Sequence, residues 1–105
     1  PGPWLSFGRD YETDFVVEAT SGQVWSMSDS QSHPDRFVNS SLLLFVGVLT
    51  KVSAARAGFA GQDDPEIDER IARLEEEIRR VDPQALSLPE NWWAVIFEQM
   101  RDGLL

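Results

Sequence analysis

The single histidine, His33, is the first residue to weigh for chemistry, because an imidazole can exchange a proton near neutral pH. It lies in the polar stretch 28–35, just before Pro34, with no nucleophile or metal ligand beside it in sequence. A general base needs a positioned partner, so His33 reads as a loop residue. The alternation Asp10-x-Glu12-x-Asp14 has the opening of a calcium loop. Such a loop also needs a glycine at its sixth place and a distant bidentate glutamate, and here Phe15 stands where the glycine should be. Turn acids are the better reading. Neither Ser6-Phe7-Gly8 nor Ser26-Met27-Ser28 has the G-x-S-x-G spacing that presents a serine nucleophile between a strand and a helix. The glycines are isolated, so no loop can cradle a phosphate. Trp92-Trp93 could form a ligand platform, but Ile96, Phe97 and Met100 follow at helical spacing, which favours a packed core stripe. With no cysteine, disulfide and thiolate chemistry are excluded and zinc would need other ligands. These residues make no enzyme active site and imply no cofactor and no metal.

The charge balance excludes further classes. A net charge of −9 repels nucleic acid and anionic membrane, and the nine basic residues are scattered among acids rather than clustered. Basic protein surfaces are the partners such a chain attracts. The bland alternative is that the charge only keeps the protein soluble. The longest apolar run is far below the roughly 20 residues of a membrane span. The absence of disulfides favours the cytoplasm. At 105 residues the chain is one small domain, with four Trp and six Phe to fill a single core.

The elements that must position these residues change period at Asn39-Ser40-Ser41, where strand-like sequence gives way to helix-like sequence. Residues 4–8, 14–20 and 23–27 read as strands, with a Gly22 turn between the last two, and Arg36-Phe37-Val38 as a final extended piece. In the third strand Val24 and Trp25 must point to opposite faces, and the pattern does not say which is packed. Asn39, Ser40 and Ser41 are of the types that cap a helix N-terminus. The first helix runs from Ser40 to about Arg56, with Gly58 as its stop. Leu42, Phe45, Val46, Leu49 and Val52 share a face, and Leu43, Leu44 and Val48 widen it, so cover on more than one side is expected. Asp64 and Pro65 open the second helix, whose seam is Ile67, Ile71, Leu74, Ile78 and Val81. This seam suits docking within the domain better than pairing with a partner helix. Glu66, Glu69, Glu75 and Glu76 each precede an arginine by four residues, the favourable order for helix ion pairs. Asp82-Pro83 ends that helix, and Ser87-Leu88-Pro89-Glu90 resembles a capping box for a third. The expected fold class is α+β: a small antiparallel sheet over 4–38, then helices near 40–57, 65–81 and 90–102. The expected core is Trp25, Phe45, Leu49, Trp93, Ile96 and Phe97.

Three segments together resemble the SUKH superfamily, particularly its actinobacterial immunity-protein branch. The first runs from Phe7-Gly8-Arg9-Asp10 through Asp14-Phe15-Val16-Val17-Glu18 to Ser21-Gly22-Gln23-Val24-Trp25. The second is Phe37-Val38-Asn39-Ser40-Ser41-Leu42 with Phe45, and the third Pro89-Glu90-Asn91-Trp92-Trp93 with Glu98-Gln99 and Asp102-Gly103. Members of this superfamily carry an N-terminal helix and further residues ahead of the strand at Trp4, so the resemblance covers the C-terminal portion of a single domain, residues 1–105. It leaves a sheet edge or helix face for a homodimer partner or a second chain to cover. The resemblance implies a non-catalytic protein that binds and neutralises a polymorphic toxin of nuclease or deaminase type. The competing reading is a regulatory or scaffold module of a larger protein. Two acidic patches are the candidate partner surface. One is Asp63, Asp64, Glu66, Glu69, Glu75 and Glu76, within a stretch 63–82 that holds nine acids and four bases. The other is Asp10, Glu12, Asp14 and Asp29 on the strand side.

Overall fold

The computed structural model describes residues 4–10, 13–28, 34–59 and 64–103. Four antiparallel strands follow one another in the order β1 (Trp4–Asp10), β2 (Thr13–Glu18), β3 (Val24–Ser28) and β4 (Arg36–Asn39). Three helices follow, α1 (Leu42–Ala57), α2 (Asp64–Val81) and α3 (Trp92–Arg101), with a 3₁₀ turn at Pro83–Leu86 between the last two. This is the α+β arrangement that the period change at Asn39 predicts.

The register divides the sheet into two faces. Phe15 pairs with Ser26 and Val17 with Val24, and these residues face the helices. Val16 pairs with Trp25 and Asp14 with Met27, on the outward face. Gly22, at φ 77°, closes the β2–β3 hairpin, as its lack of a Cβ allows. The core joins Val24 and Val38 of the sheet to Phe45, Val48 and Val52 of α1, to Ile71, Leu74 and Ile78 of α2, and to Trp93, Phe97 and Met100 of α3. The α2 seam therefore docks inside its own domain. A continuous run of rings carries the contact across layers: Phe7 meets Phe45, Phe45 meets Trp93, and Trp93 meets Phe97.

Several expectations are corrected. Trp25 is half-buried on the outward face, apart from the core, because Val24 takes the inward position. Leu49 is exposed and Ile96 only partly buried. The buried line of α1 is Phe45, Val48 and Val52, at i, i+3 and i+7. Leu42, Leu43, Val46 and Leu49 remain exposed, Leu43 at 82%, so cover on more than one side is not seen among the described residues. The reason is that the core packs on one side of α1, while its apolar residues run around most of its circumference. Leu5 and Phe7 on the edge strand β1 are exposed as well.

The chain's caps are also redistributed. Ser41 is the N-cap of α1, its Oγ accepting from the Leu44 N–H at 3.1 Å. Asn39 and Ser40 do something else. The buried Asp82 carboxylate, at the end of α2, accepts from Asn39 Nδ2 at 2.9 Å, from the Ser40 N–H at 2.8 Å and from Ser40 Oγ at 2.7 Å. Trp93 Nε1 completes the network by donating to Asn39 Oδ1 at 2.8 Å. Asn39, Asp82 and Trp93 are all essentially without solvent contact, so each polar atom depends on the others. This network fastens β4, α2 and α3 at one point. The capping box expected at Ser87 is absent: Ser87 Oγ and Asn91 Nδ2 both donate to the Gln84 carbonyl. Asn91 stands at the N-cap of α3 without a side-chain cap bond, and the helix starts at Trp92.

Candidate functional site

The core packs against one side of the sheet, and the opposite side carries a row of aromatic rings. Strand alternation puts Trp4, Trp25 and Phe37 there. The Trp4 and Trp25 rings meet edge-on at 6.4 Å and 78°, and Trp25 meets Phe37 at 5.7 Å and 86°. Gln23 Oε1 accepts from Trp25 Nε1 at 3.2 Å and orients the indole. A hollow of about 440 Å³ opens beside this row, lined by Trp4, Glu18, Gln23, Trp25, Met27 and Asp35. A second hollow, about 230 Å³, lies against Trp25 and Phe37 and is walled by Gln84, Leu88 and Asn91. Arg36 Nη1 donates to the Glu90 carbonyl at 2.6 Å and ties β4 to the segment that enters α3.

Glu18 sits at the rim of the larger hollow with its carboxylate turned into the hairpin. It accepts from the Thr20 N–H at 2.6 Å and from Ser21 Oγ at 3.0 Å. These donors, the Thr20 N–H foremost, hold its pKa below the ordinary 4.5 against the opposing effect of burial. A carboxylate with a depressed folded pKa stabilises the protein above its unfolded pKa, and that stabilisation is lost as pH falls through the folded value. Glu18→Gln is therefore expected to flatten the fall in melting temperature between about pH 5 and about pH 3 relative to the parent. Thermal unfolding of both proteins across that window checks it; parallel curves would remove Glu18 from the acid response.

The acids singled out from sequence are dispersed. Asp14 lies on the outward face in an ion pair with Arg9 at 2.7 Å. Asp10 belongs to β1, and Glu12, Asp29, Asp63 and His33 lie outside the described residues. Asp64 forms the first position of α2 rather than a cap before it. On α2, Glu69 pairs with Arg73 at 2.6 Å and Glu76 with Arg79 at 3.2 Å. Glu66 lies on the exposed first turn. Glu75 is only 15% exposed and binds Arg101 of α3 at 2.6 Å, with Arg79 at 3.9 Å. It is a strut between helices rather than a free recognition acid. The structure thus brings Asp14 to the outward sheet face and pairs the charge of Glu69, Glu75 and Glu76 internally.

Sequence reasoning missed the aromatic row and Asp35. Trp4, Trp25 and Phe37 come from three strands, and only the register aligns them. The available signal was the alternation in 23–27, which places Trp25 and Met27 together once Val24 is known to face inward. Among the described residues no cluster of His, Asp or Glu could hold a metal ion, and no helix is long and apolar enough to cross a membrane. The Trp92-Trp93 pair is core: Trp93 is buried, and Trp92 packs edge-on against Phe15 at 5.2 Å.

No curated protein and no solved structure matches the chain. A family model, that of the SUKH-4 immunity proteins, matches residues 1–99. That match takes in all four strands, the Asn39–Asp82–Trp93 network and all but the last residues of α3. The chain belongs to the SUKH-4 immunity protein family.

Proposed function

We propose that this protein is a non-catalytic inhibitor that neutralises a nuclease- or deaminase-type toxin in the cytoplasm. It does so by laying the outward face of its sheet over the toxin's substrate groove. Family membership supports the immunity role, and the uncovered aromatic row supports the choice of face. Enzymes that act on nucleic acid carry basic grooves for phosphate. A protein of net charge −9 is steered toward such a groove, with charge acting mainly on the association rate. Rigid aromatic side chains then supply contact area at low entropy cost. Of the two acidic patches, the strand side is preferred. Asp35 lines the hollow beside the aromatic row, and Asp14 stands on the same outward face opposite Met27. On α2, Glu69 and Glu76 are each paired with an arginine of the same helix, and Glu75 is tied to Arg101.

The test begins with co-expression and pull-down against the product of a toxin-like reading frame encoded beside this one. Association rates are then measured against ionic strength for the parent, for Asp14→Lys with Asp35→Lys, and for Glu69→Lys with Glu76→Lys. Glu75 is left intact because its reversal would break the tie to α3. The sheet-side variant is expected to associate more slowly and with a flatter salt dependence, and the α2 variant to behave as the parent. Folding should change little, since surface pairs contribute at most about 1 kcal/mol each. Identical rates for all three proteins would refute recognition through the strand-side acids.

A further inference from the structure

The two hollows flanking Trp25 differ in one respect that bears on what the partner must present. The smaller is walled by Phe37, Leu88 and neutral amides, with no charged side chain among the described residues. The larger is walled by two indoles and a methionine, and among the described residues its charged lining residues, Glu18 and Asp35, are both acids. The hydrogen bonds that reach those carboxylates come from uncharged groups: Thr20 and Ser21 on Glu18, and the Ser28 N–H on Asp35 at 3.1 Å. Among the described residues no cation pairs with either carboxylate, so their negative charge is oriented without being neutralised. An indole face carries negative electrostatic potential of its own and attracts a cation placed over it. Trp4 and Trp25 stand nearly perpendicular, so the corner they form offers a wall to a planar group, with Asp35 in the same lining.

We propose that the hollow beside Trp4 and Trp25 receives an arginine side chain of the partner protein. This rests on the sheet face being the toxin-binding surface and names the chemistry that the face selects. Arginine fits better than lysine, because a guanidinium is planar, stacks on aromatic faces and is more weakly hydrated than an ammonium. Its fork donates to Asp35 while the plane lies on an indole, and its aliphatic stem contacts Met27. Recognition here is a desolvated contact, distinct from the long-range attraction of the whole acidic surface. It therefore acts on how long the complex lasts, whereas the surrounding acids act on how fast it forms.

The probe is an acetylated, amidated Gly-Arg-Gly tripeptide, compared with the same peptide carrying citrulline, a neutral isostere of arginine, or lysine. The readout is the four indole N–H signals in a proton–nitrogen correlation spectrum, one for each tryptophan. The arginine peptide is expected to shift the Trp4 and Trp25 signals saturably and to leave buried Trp93 unmoved. The lysine peptide should bind more weakly and the citrulline peptide about tenfold more weakly than arginine. Asp35→Asn, which keeps an acceptor for the Ser28 N–H, should weaken arginine binding several-fold. Equal response to arginine and citrulline, or no effect of Asp35→Asn, would overturn the assignment. In parallel, Trp25→Ala is assayed for protection against the toxin in co-expression, with the Trp93 signal as the check on folding. Lost protection without an arginine preference overturns the arginine site and keeps the sheet face as the toxin surface. Retained protection overturns the sheet-face reading and this proposal with it.

Discussion

Trp93→Ala is expected to lower the melting temperature by about 15 °C or more, the largest effect of any single truncation in this chain. Trp93 is 1% exposed and its ring contacts Phe45, Trp92 and Phe97. Truncating a buried Trp costs roughly 3–5 kcal/mol. That is comparable to the whole stability of many small domains. The loss has a second part, since Asn39 Oδ1 would be left buried without its donor. Trp93→Phe separates the two, keeping most of the ring while removing the N–H, and should cost about 1–3 kcal/mol. Thermal unfolding followed by far-ultraviolet circular dichroism checks both variants. An unchanged melting temperature in Trp93→Ala would contradict the core described here.

The second large effect is expected from Asp82→Ala, at about 3–5 kcal/mol. One carboxylate accepts three hydrogen bonds; its removal strands Asn39 Nδ2 and the Ser40 N–H, and leaves Ser40 Oγ only its longer bond to Gln84 Oε1 at 3.3 Å. Asn39 is fully buried and has no solvent to turn to. Asp82→Asn should fall between, because it keeps one oxygen but presents an amide N–H₂ to groups that are themselves donors. Chemical denaturation of Asp82→Ala, Asn39→Ala and the double variant closes a cycle. The double loss should be well below the sum, since both single changes break the same bond. Additive losses would mean that Asn39 and Asp82 do not act as one unit.

The outline of the fold was legible because most elements carry local signals. Gly22 marks a turn that needs positive φ, the α2 seam repeats at 4, 3, 4, 3, and Gly58 and Asp82-Pro83 stop their helices. What was not legible involves partners far apart in sequence. Asn39 and Ser40 have the side chains of N-caps, and a local reading assigns them that role. Their actual partner, Asp82, lies more than 40 residues further along the chain. The inward side of α1 was unreadable for a different reason. Apolar residues surround most of that helix, so period alone cannot choose Phe45, Val48 and Val52 over Leu42, Val46 and Leu49. Charge spacing on α2 anticipated the Glu69–Arg73 pair, yet it could not show that Glu75 reaches across to Arg101. The aromatic row at the candidate site was hidden in the same way: each ring is an ordinary strand residue until the register lines it up with the others.

The alternation along β2 and β3 has a bearing on how such a protein can change. Phe15, Val17, Val24 and Ser26 answer to the helices, while Asp14, Trp25 and Met27 stand on the outward face, apart from the core. Neighbouring codons therefore serve different masters. On the proposed sheet-face reading, a lineage meeting an altered toxin can rewrite Asp14, Trp25 and Met27 without disturbing buried Val16 or the fastening at Asn39, Asp82 and Trp93. On that reading stability and specificity are inherited on separate tracks within the same few residues, and new specificities become reachable by single steps that leave the protein folded.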